Sequence, residues 1–123
     1  MADGVHTVRI AHLFPELLNL YGDSGNILVL KSRLAWRHLG CEVREVHVGE
    51  RPSFSVLDLV FGGGGTDCEQ RIVCESLLEE REELAAFVED GGVLAAVCGG
   101  YQLLGDYYLM GDERVQGLAL VDL

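Results

Sequence analysis

Two short apolar runs in this 123-residue chain end abruptly at glycine and pass straight into helical patterning. The first is Val56 to Phe61, followed by Gly62-Gly63-Gly64-Gly65; the second is Val93 to Val97, followed by Cys98-Gly99-Gly100. Runs of this length read as buried strands, and a mostly apolar strand belongs inside a sheet rather than at its surface. A strand that turns at once into a helix must leave the sheet at its carboxyl end, where α/β proteins build their sites.

The rest of the chain fits the same alternation. A first strand runs through Val5, Val8 and Ile10 into an irregular loop at Phe14-Pro15-Glu16. The polar cluster Asp23-Ser24-Gly25-Asn26 suits the N-cap of a helix over Ile27 to Leu39, with Ile27, Leu30, Leu34 and Ala35 on its apolar side and Gly40 as the C′ glycine. A second strand follows through Val43, Val46 and Val48, and Arg51-Pro52-Ser53 separates it from the third. One long helix is predicted over Glu69 to Glu89, with Val73, Leu77, Leu84 and Val88 as its buried stripe and Gly91-Gly92 as its end. The tail reads as short strands, Tyr107 to Met110 and Val115 to Leu123, joined at Gly111-Asp112. The expected architecture is a single α/β domain over 1–123, with a parallel sheet and helices on both faces.

Composition narrows the partners. The formal net charge is −11, from 20 acidic against 9 basic residues, and no basic stripe offsets it, so no nucleic-acid partner is expected. The acids concentrated at Glu79, Glu80, Glu82, Glu83, Glu89 and Asp90 read as a solvated helix face. No apolar run reaches the ~20 residues of a membrane span, and Met1-Ala2-Asp3-Gly4 has no signal-peptide character. Neither membrane insertion nor export is expected, and the location read is cytoplasmic. Cys41, Cys68, Cys74 and Cys98 show no C-x-x-C spacing and no histidine at ligand distance, so they read as reduced thiols without a metal.

Cys98 stands apart from the other three. A residue between a strand end and a helix start, backed by two glycines, has the sequence form of a nucleophile elbow. The helix start behind it favours the thiolate, and the Gly99 N–H is placed to hold an oxyanion. The four glycines after the third strand do not make a phosphate loop. No Lys follows them, and Asp67 takes the last glycine position of G-x-G-x-x-G. They read instead as a wall of backbone N–H groups, or more simply as a tight turn feeding a helix. Together these features suit acyl transfer through a thioester.

Cys98-Gly99-Gly100-Tyr101-Gln102 resembles the C-x-G-x-Q motif of class I, triad-type glutamine amidotransferases. Three more segments sharpen the likeness: Leu18-Asn19-Leu20-Tyr21-Gly22-Asp23-Ser24-Gly25-Asn26-Ile27, Gly63-Gly64-Gly65-Thr66-Asp67 with Glu69-Gln70, and Gly117-Leu118-Ala119-Leu120-Val121-Asp122. In this order they look like the cobyric-acid-synthase-like (CobB/CobQ-like) branch and, within it, the glutaminase subunits of lipid II isoglutaminyl synthases. The resemblance implies a flavodoxin-like, Rossmann-like fold and L-glutamine as substrate. It makes Cys98 the nucleophile, Gly64 and Gly99 the oxyanion-hole donors and Gln102 a substrate-binding residue. It implies no cofactor in this chain. The partner it implies is a Mur-ligase-like (MurT-type) synthetase subunit that uses ATP and Mg to amidate D-glutamate of the peptidoglycan precursor.

Two departures qualify it. Cys68 stands where such proteins carry Arg, and the family continues well past Asp122 to the histidine that serves as base. The chain is therefore expected to be the N-terminal part of the domain, inactive alone, with an exposed apolar sheet edge prone to self-association. His12 is the one local candidate for a substitute base; His6, His38 and His47 read as structural or exposed. Two alternatives stay open: a cobyrinic or cobyric acid-type amidotransferase, and a catalytically incompetent domain that binds glutamine or a partner.

Overall fold

The computed structural model describes residues 6–19 and 23–122, so the expectations at Val5, at Leu20-Tyr21-Gly22 and at Leu123 lie outside the described residues. A four-stranded parallel sheet is built from β1 (Thr7–Leu13), β2 (Gly40–Val46), β3 (Leu59–Gly62) and β4 (Val93–Ala96), in the order β2-β1-β3-β4. The third strand is interior, as its apolar run predicts, although it starts later than expected because Phe54–Val56 form a 3-10 turn. His12 pairs with Phe61, which in turn pairs with Ala95, so all three point to one face. An antiparallel hairpin, β5 (Tyr107–Met110) and β6 (Glu113–Gln116), turns at Gly111 with φ +62°. The strand expected over Val115–Leu123 is shorter, because residues 117–122 fold back as an irregular strap.

Helices cover both faces of the sheet. On one face Ile10 and Phe61 pack against Ile27 of α1 (Ser24–Trp36), with Leu30 and Leu34 beside it. On the other, Ala11, Leu13, Val46 and Val60 meet α2 (Asp67–Leu78) and α3 (Arg81–Glu89) through Val73, Leu77 and Leu84. The face under α1 is thinly covered. Val93 (53% exposed) and Val97 line β4 at the sheet edge, and Trp36 on α1 is 72% exposed. Apolar side chains are therefore exposed along β4 and on α1.

Three local expectations are corrected. The single helix over Glu69–Glu89 is two helices, because the chain breaks at Glu79 and Glu80 and Glu80 is buried. The break shifts the helical phase, so Phe87 rather than Val88 faces the core and packs on Phe54 at 6.0 Å. The α1 helix ends at Trp36, and its left-handed residue is His38 (φ +59°). Gly40 instead opens β2, where a Cβ would lie 2.8 Å from Thr7 Oγ1. Finally, α1 has no side-chain cap from Asp23. That carboxylate has another partner, described below.

The glycine run feeds α2 through a capping box: Glu69 N–H donates to Thr66 Oγ1 at 3.3 Å and Thr66 N–H donates to Glu69 Oε1 at 3.2 Å. This fixes the direction in which the chain leaves β3. After β4 a single helical turn, α4 (Gly99–Gln102), begins directly behind Cys98. The strap is tied to its far end by Leu118 N–H to Leu103 O and Leu120 N–H to Leu104 O, each 2.8 Å. Arg81 holds the strap from α3, with Nε donating to Leu118 O at 2.6 Å.

Candidate active site

Cys98 follows β4 at φ +53°, ψ −120°, a conformation that costs a non-glycine residue about 1–3 kcal/mol unless the surroundings impose it. Here they do. Val97 N–H donates to Gly62 O at 3.1 Å and Gly100 N–H donates to Gly63 O at 3.0 Å, so the turn is bonded on both sides of the cysteine to the end of β3. Gly100 has no room for a side chain: a Cβ would lie 2.7 Å from Gly62 O and 2.8 Å from Gly63 O. The two glycine-ended strands thus meet backbone to backbone, and Cys98 is left exposed at their junction. This strained strand-to-helix turn has the backbone geometry of a nucleophile elbow.

The donors around the turn differ in availability. Gly99 is the first residue of α4, so its N–H has no intrahelical acceptor. Gly64 N–H donates to Asp23 Oδ2 at 3.1 Å. It reaches an oxyanion only when that bond opens. Asp23 is 3% exposed and sits where a Cβ on Gly63 would be, so its carboxylate packs along the glycine run. With four residues, α4 has too few aligned peptides for a full helix dipole, and positioning by backbone bonds outweighs it. Gln102 is exposed one turn past the cysteine, with its N–H on Cys98 O at 3.1 Å.

His12 is not brought to the thiol. It lies on β1, level with Ala95 and two strands away, which is about 10 Å across the sheet before the chain advances to Cys98. Its ring is buried against Phe61 at 5.7 Å. Burial pushes its pKa down, against the upward pull of Glu45, Asp23 and Glu16. It is a core imidazole. His6 and His38 are exposed, and His47 is held by Glu16 with Nδ1 2.6 Å from Oε2.

An open cavity of about 410 Å³ beside the glycine run is lined by Pro15, Glu16, Leu17, Asn19 and Glu69. A larger one of about 490 Å³, between the 3-10 turn and α3, opens at the amino ends of β3 and β4. That is the wrong end of the sheet for the elbow. Among the described residues no cluster of His, Cys, Asp and Glu is arranged to hold a metal ion, and no helix is long and apolar enough to cross a membrane.

Residues 9–123 match the CobB/CobQ-like glutamine amidotransferase domain, a stretch that contains both the glycine run and the elbow. The chain belongs to this amidotransferase family. It is 39% identical over 119 residues to the GatD subunit of lipid II isoglutaminyl synthase (glutamine-hydrolyzing) from Streptococcus pneumoniae, covering 94% of this chain and 45% of that protein. It is 36% identical to the Staphylococcus aureus GatD subunit, covering 96% and 49%. The chain therefore spans about half the length of these relatives. A solved structure from Listeria monocytogenes, described as a peptidase E protein, superposes with a TM-score of 0.62 at 14% identity, over 98% of this chain and 66% of that one. It shares the α/β fold.

Two residues inside the family-like segments of this amidotransferase domain take structural roles that the segments themselves do not indicate. Asp23 looked like a helix cap, and its partner Gly64 is 41 residues away. Gln70 had one signal available: it continues the buried spacing of Val73 and Leu77 as a polar residue on an apolar stripe.

Proposed function

We propose that this domain carries the nucleophile of a glutaminase that releases ammonia from L-glutamine for lipid II isoglutaminyl synthase. The observation that carries the reading is Cys98 held exposed at φ +53°, with its turn bonded to the glycine run. The two GatD relatives support the choice of glutamine and of the peptidoglycan precursor pathway.

In this reading the Cys98 thiolate attacks the side-chain carbonyl carbon of glutamine, and the carbonyl π electrons move to oxygen. The Gly99 N–H, and the Gly64 N–H once released by Asp23, donate to that oxyanion; each such donor contributes about 3 kcal/mol to the transition state. The C–N bond then breaks, the leaving nitrogen takes a proton, and ammonia departs from a glutamyl thioester. Water hydrolyses the thioester to glutamate and returns the thiolate. Gln102 helps hold the substrate. Ammonia passes to a Mur-ligase-like synthetase subunit, where ATP and Mg activate the D-glutamate carboxyl. The resemblance to class I amidotransferases makes a histidine the proton acceptor that activates Cys98, a role that His12, buried two strands away, does not fill. Residues 1–123 alone accordingly release little ammonia.

The test is ammonia release from glutamine by the complete gene product with its synthetase partner. Cys98→Ala should abolish it and leave glutamine binding measurable. Unchanged turnover in that variant would overturn the reading, and amidation of a corrinoid acid in place of lipid II would move the chain to the cobyric acid branch.

A further inference from the structure

Among the described residues, His12 Nε2, Gln70 Oε1 and Tyr108 OH are buried polar atoms without a hydrogen-bond partner. Of these, Gln70 touches the elbow. It lies one turn into α2 and is 5% exposed. Its Nε2 donates to Gly65 O at 2.9 Å. The same carboxamide packs against Gly99, where an added Cβ would collide with Nε2 and Cδ. The side chain therefore spans the gap between the last glycine of the run and the first residue of α4.

We infer that Gln70 is a positioning residue for the Cys98 turn: its carboxamide is a strut that sets the separation of the two backbone N–H walls. The inference rests on the glutaminase reading. An interior built for stability alone has a simpler solution at this position, because a buried acceptor without a donor is unfavourable and an apolar side chain removes it. The strut acts on geometry rather than on the substrate, so its loss misplaces the oxyanion donors without removing them. Misplacement on the scale of an ångström costs about 100-fold in rate.

Gln70→Met keeps the volume and removes the carboxamide. It deletes the unpartnered Oε1 and leaves Gly65 O without its donor, two changes that oppose each other in stability. The expected result is a melting temperature within about 4 °C of wild type. In the complete gene product with its partner, kcat for ammonia release should fall about 10- to 100-fold while KM for glutamine stays within about twofold. Gln70→Glu, which keeps the shape and loses the donor to Gly65, should show the same split. Gly99→Ala should cost less stability when Gln70→Ala makes room for the new methyl group. An active wild type with unchanged kcat in both Gln70 variants, or strictly additive Gly99→Ala and Gln70→Ala effects on melting, would overturn the strut. A wild type that neither releases ammonia nor is labelled at Cys98 by a diazoketone analogue of glutamine would overturn the glutaminase reading and the strut together.

Discussion

Replacing Gly100 with alanine tests whether the elbow is truly seated on bare backbone. The new methyl would lie 2.7 Å from Gly62 O and 2.8 Å from Gly63 O, against 3.4–4 Å for ordinary contact. Both obstacles are main-chain atoms at the end of an interior strand, so neither can swing aside as a side chain would. Overpacking of this kind costs about 1–3 kcal/mol. Pushing the turn away also stretches the Gly100 N–H to Gly63 O bond, now 3.0 Å, which contributes about 1 kcal/mol. The expected loss is about 2–4 kcal/mol. With a urea m-value of about 2 kcal/mol/M, the unfolding midpoint should fall by about 1–2 M at unchanged slope. Gly25→Ala is the control: nothing lies within 4 Å of its added Cβ, and on α1 alanine should stabilise by about 0.5–1 kcal/mol. If Gly100→Ala moved the midpoint no more than Gly25→Ala does, the backbone-to-backbone seating would be wrong.

Four further outcomes are open to measurement. Iodoacetamide should modify Cys98 first and Cys68 next, since both are exposed, with Cys41 and Cys74 slowest because burial pushes their thiols up; equal rates at Cys98 and Cys68 by peptide mass spectrometry would count against an activated elbow. Asp23→Ala should cost about 1–3 kcal/mol by chemical denaturation, because it strips the buried Gly64 N–H of its acceptor; an unchanged midpoint would mean that Asp23 does not hold the glycine run. The hydrogen bond that His47 donates to Glu16 raises the His47 pKa above the ordinary 6.5; burial pushes Glu16 upward, but its own backbone N–H and the His47 bond together carry it below 4.5. The stabilisation from His47 is complete below pH 6.5 and fades as pH rises through its raised value, while that from Glu16 fades as pH falls through its lowered value. An NMR titration should place His47 above 6.5 and show it dropping back in Glu16→Gln; a wild-type midpoint at or below 6.5 would refute the pairing. Val93→Lys should weaken any self-association of the 123-residue chain seen by sedimentation, and an association unaffected by it would not run through the β4 edge.

The parts of the site that were legible in the sequence are those written in adjacent residues. A strand ending at Gly62, a strand ending at Cys98-Gly99-Gly100, and the interior place of β3 all follow from runs of apolar residues cut short by glycine. The break between α2 and α3 was not legible. Glu79, Glu80, Glu82 and Glu83 are good helix formers, and the interruption comes from packing that buries Glu80 and sets Phe87 on Phe54. Gly40 misled for a related reason: glycine after a helix suggests a cap, whereas here its bare Cα admits Thr7 of the neighbouring strand. Asp23 was placed at a helix start, and that placement holds. Its carboxylate accepts from Gly64 beyond the carboxyl end of the adjacent strand, a partner no local pattern could indicate.

The strap over residues 117–122 has a consequence for motion. Its amides at Leu118, Ala119 and Leu120 bond to carbonyls of Leu103, Gly105 and Leu104, at the end of the short helix that Cys98 begins. The thiol turn is therefore moored at one end to β3 and at the other to a segment that Arg81 fastens to α3. A helix of one turn would fray on its own within nanoseconds. Moored this way, it opens only when the strap opens, so the amides of Gly100 and Leu118 should exchange with solvent deuterium at a common rate, as one cooperative unit. The cysteine would then keep its orientation through every thermal fluctuation that leaves the strap closed.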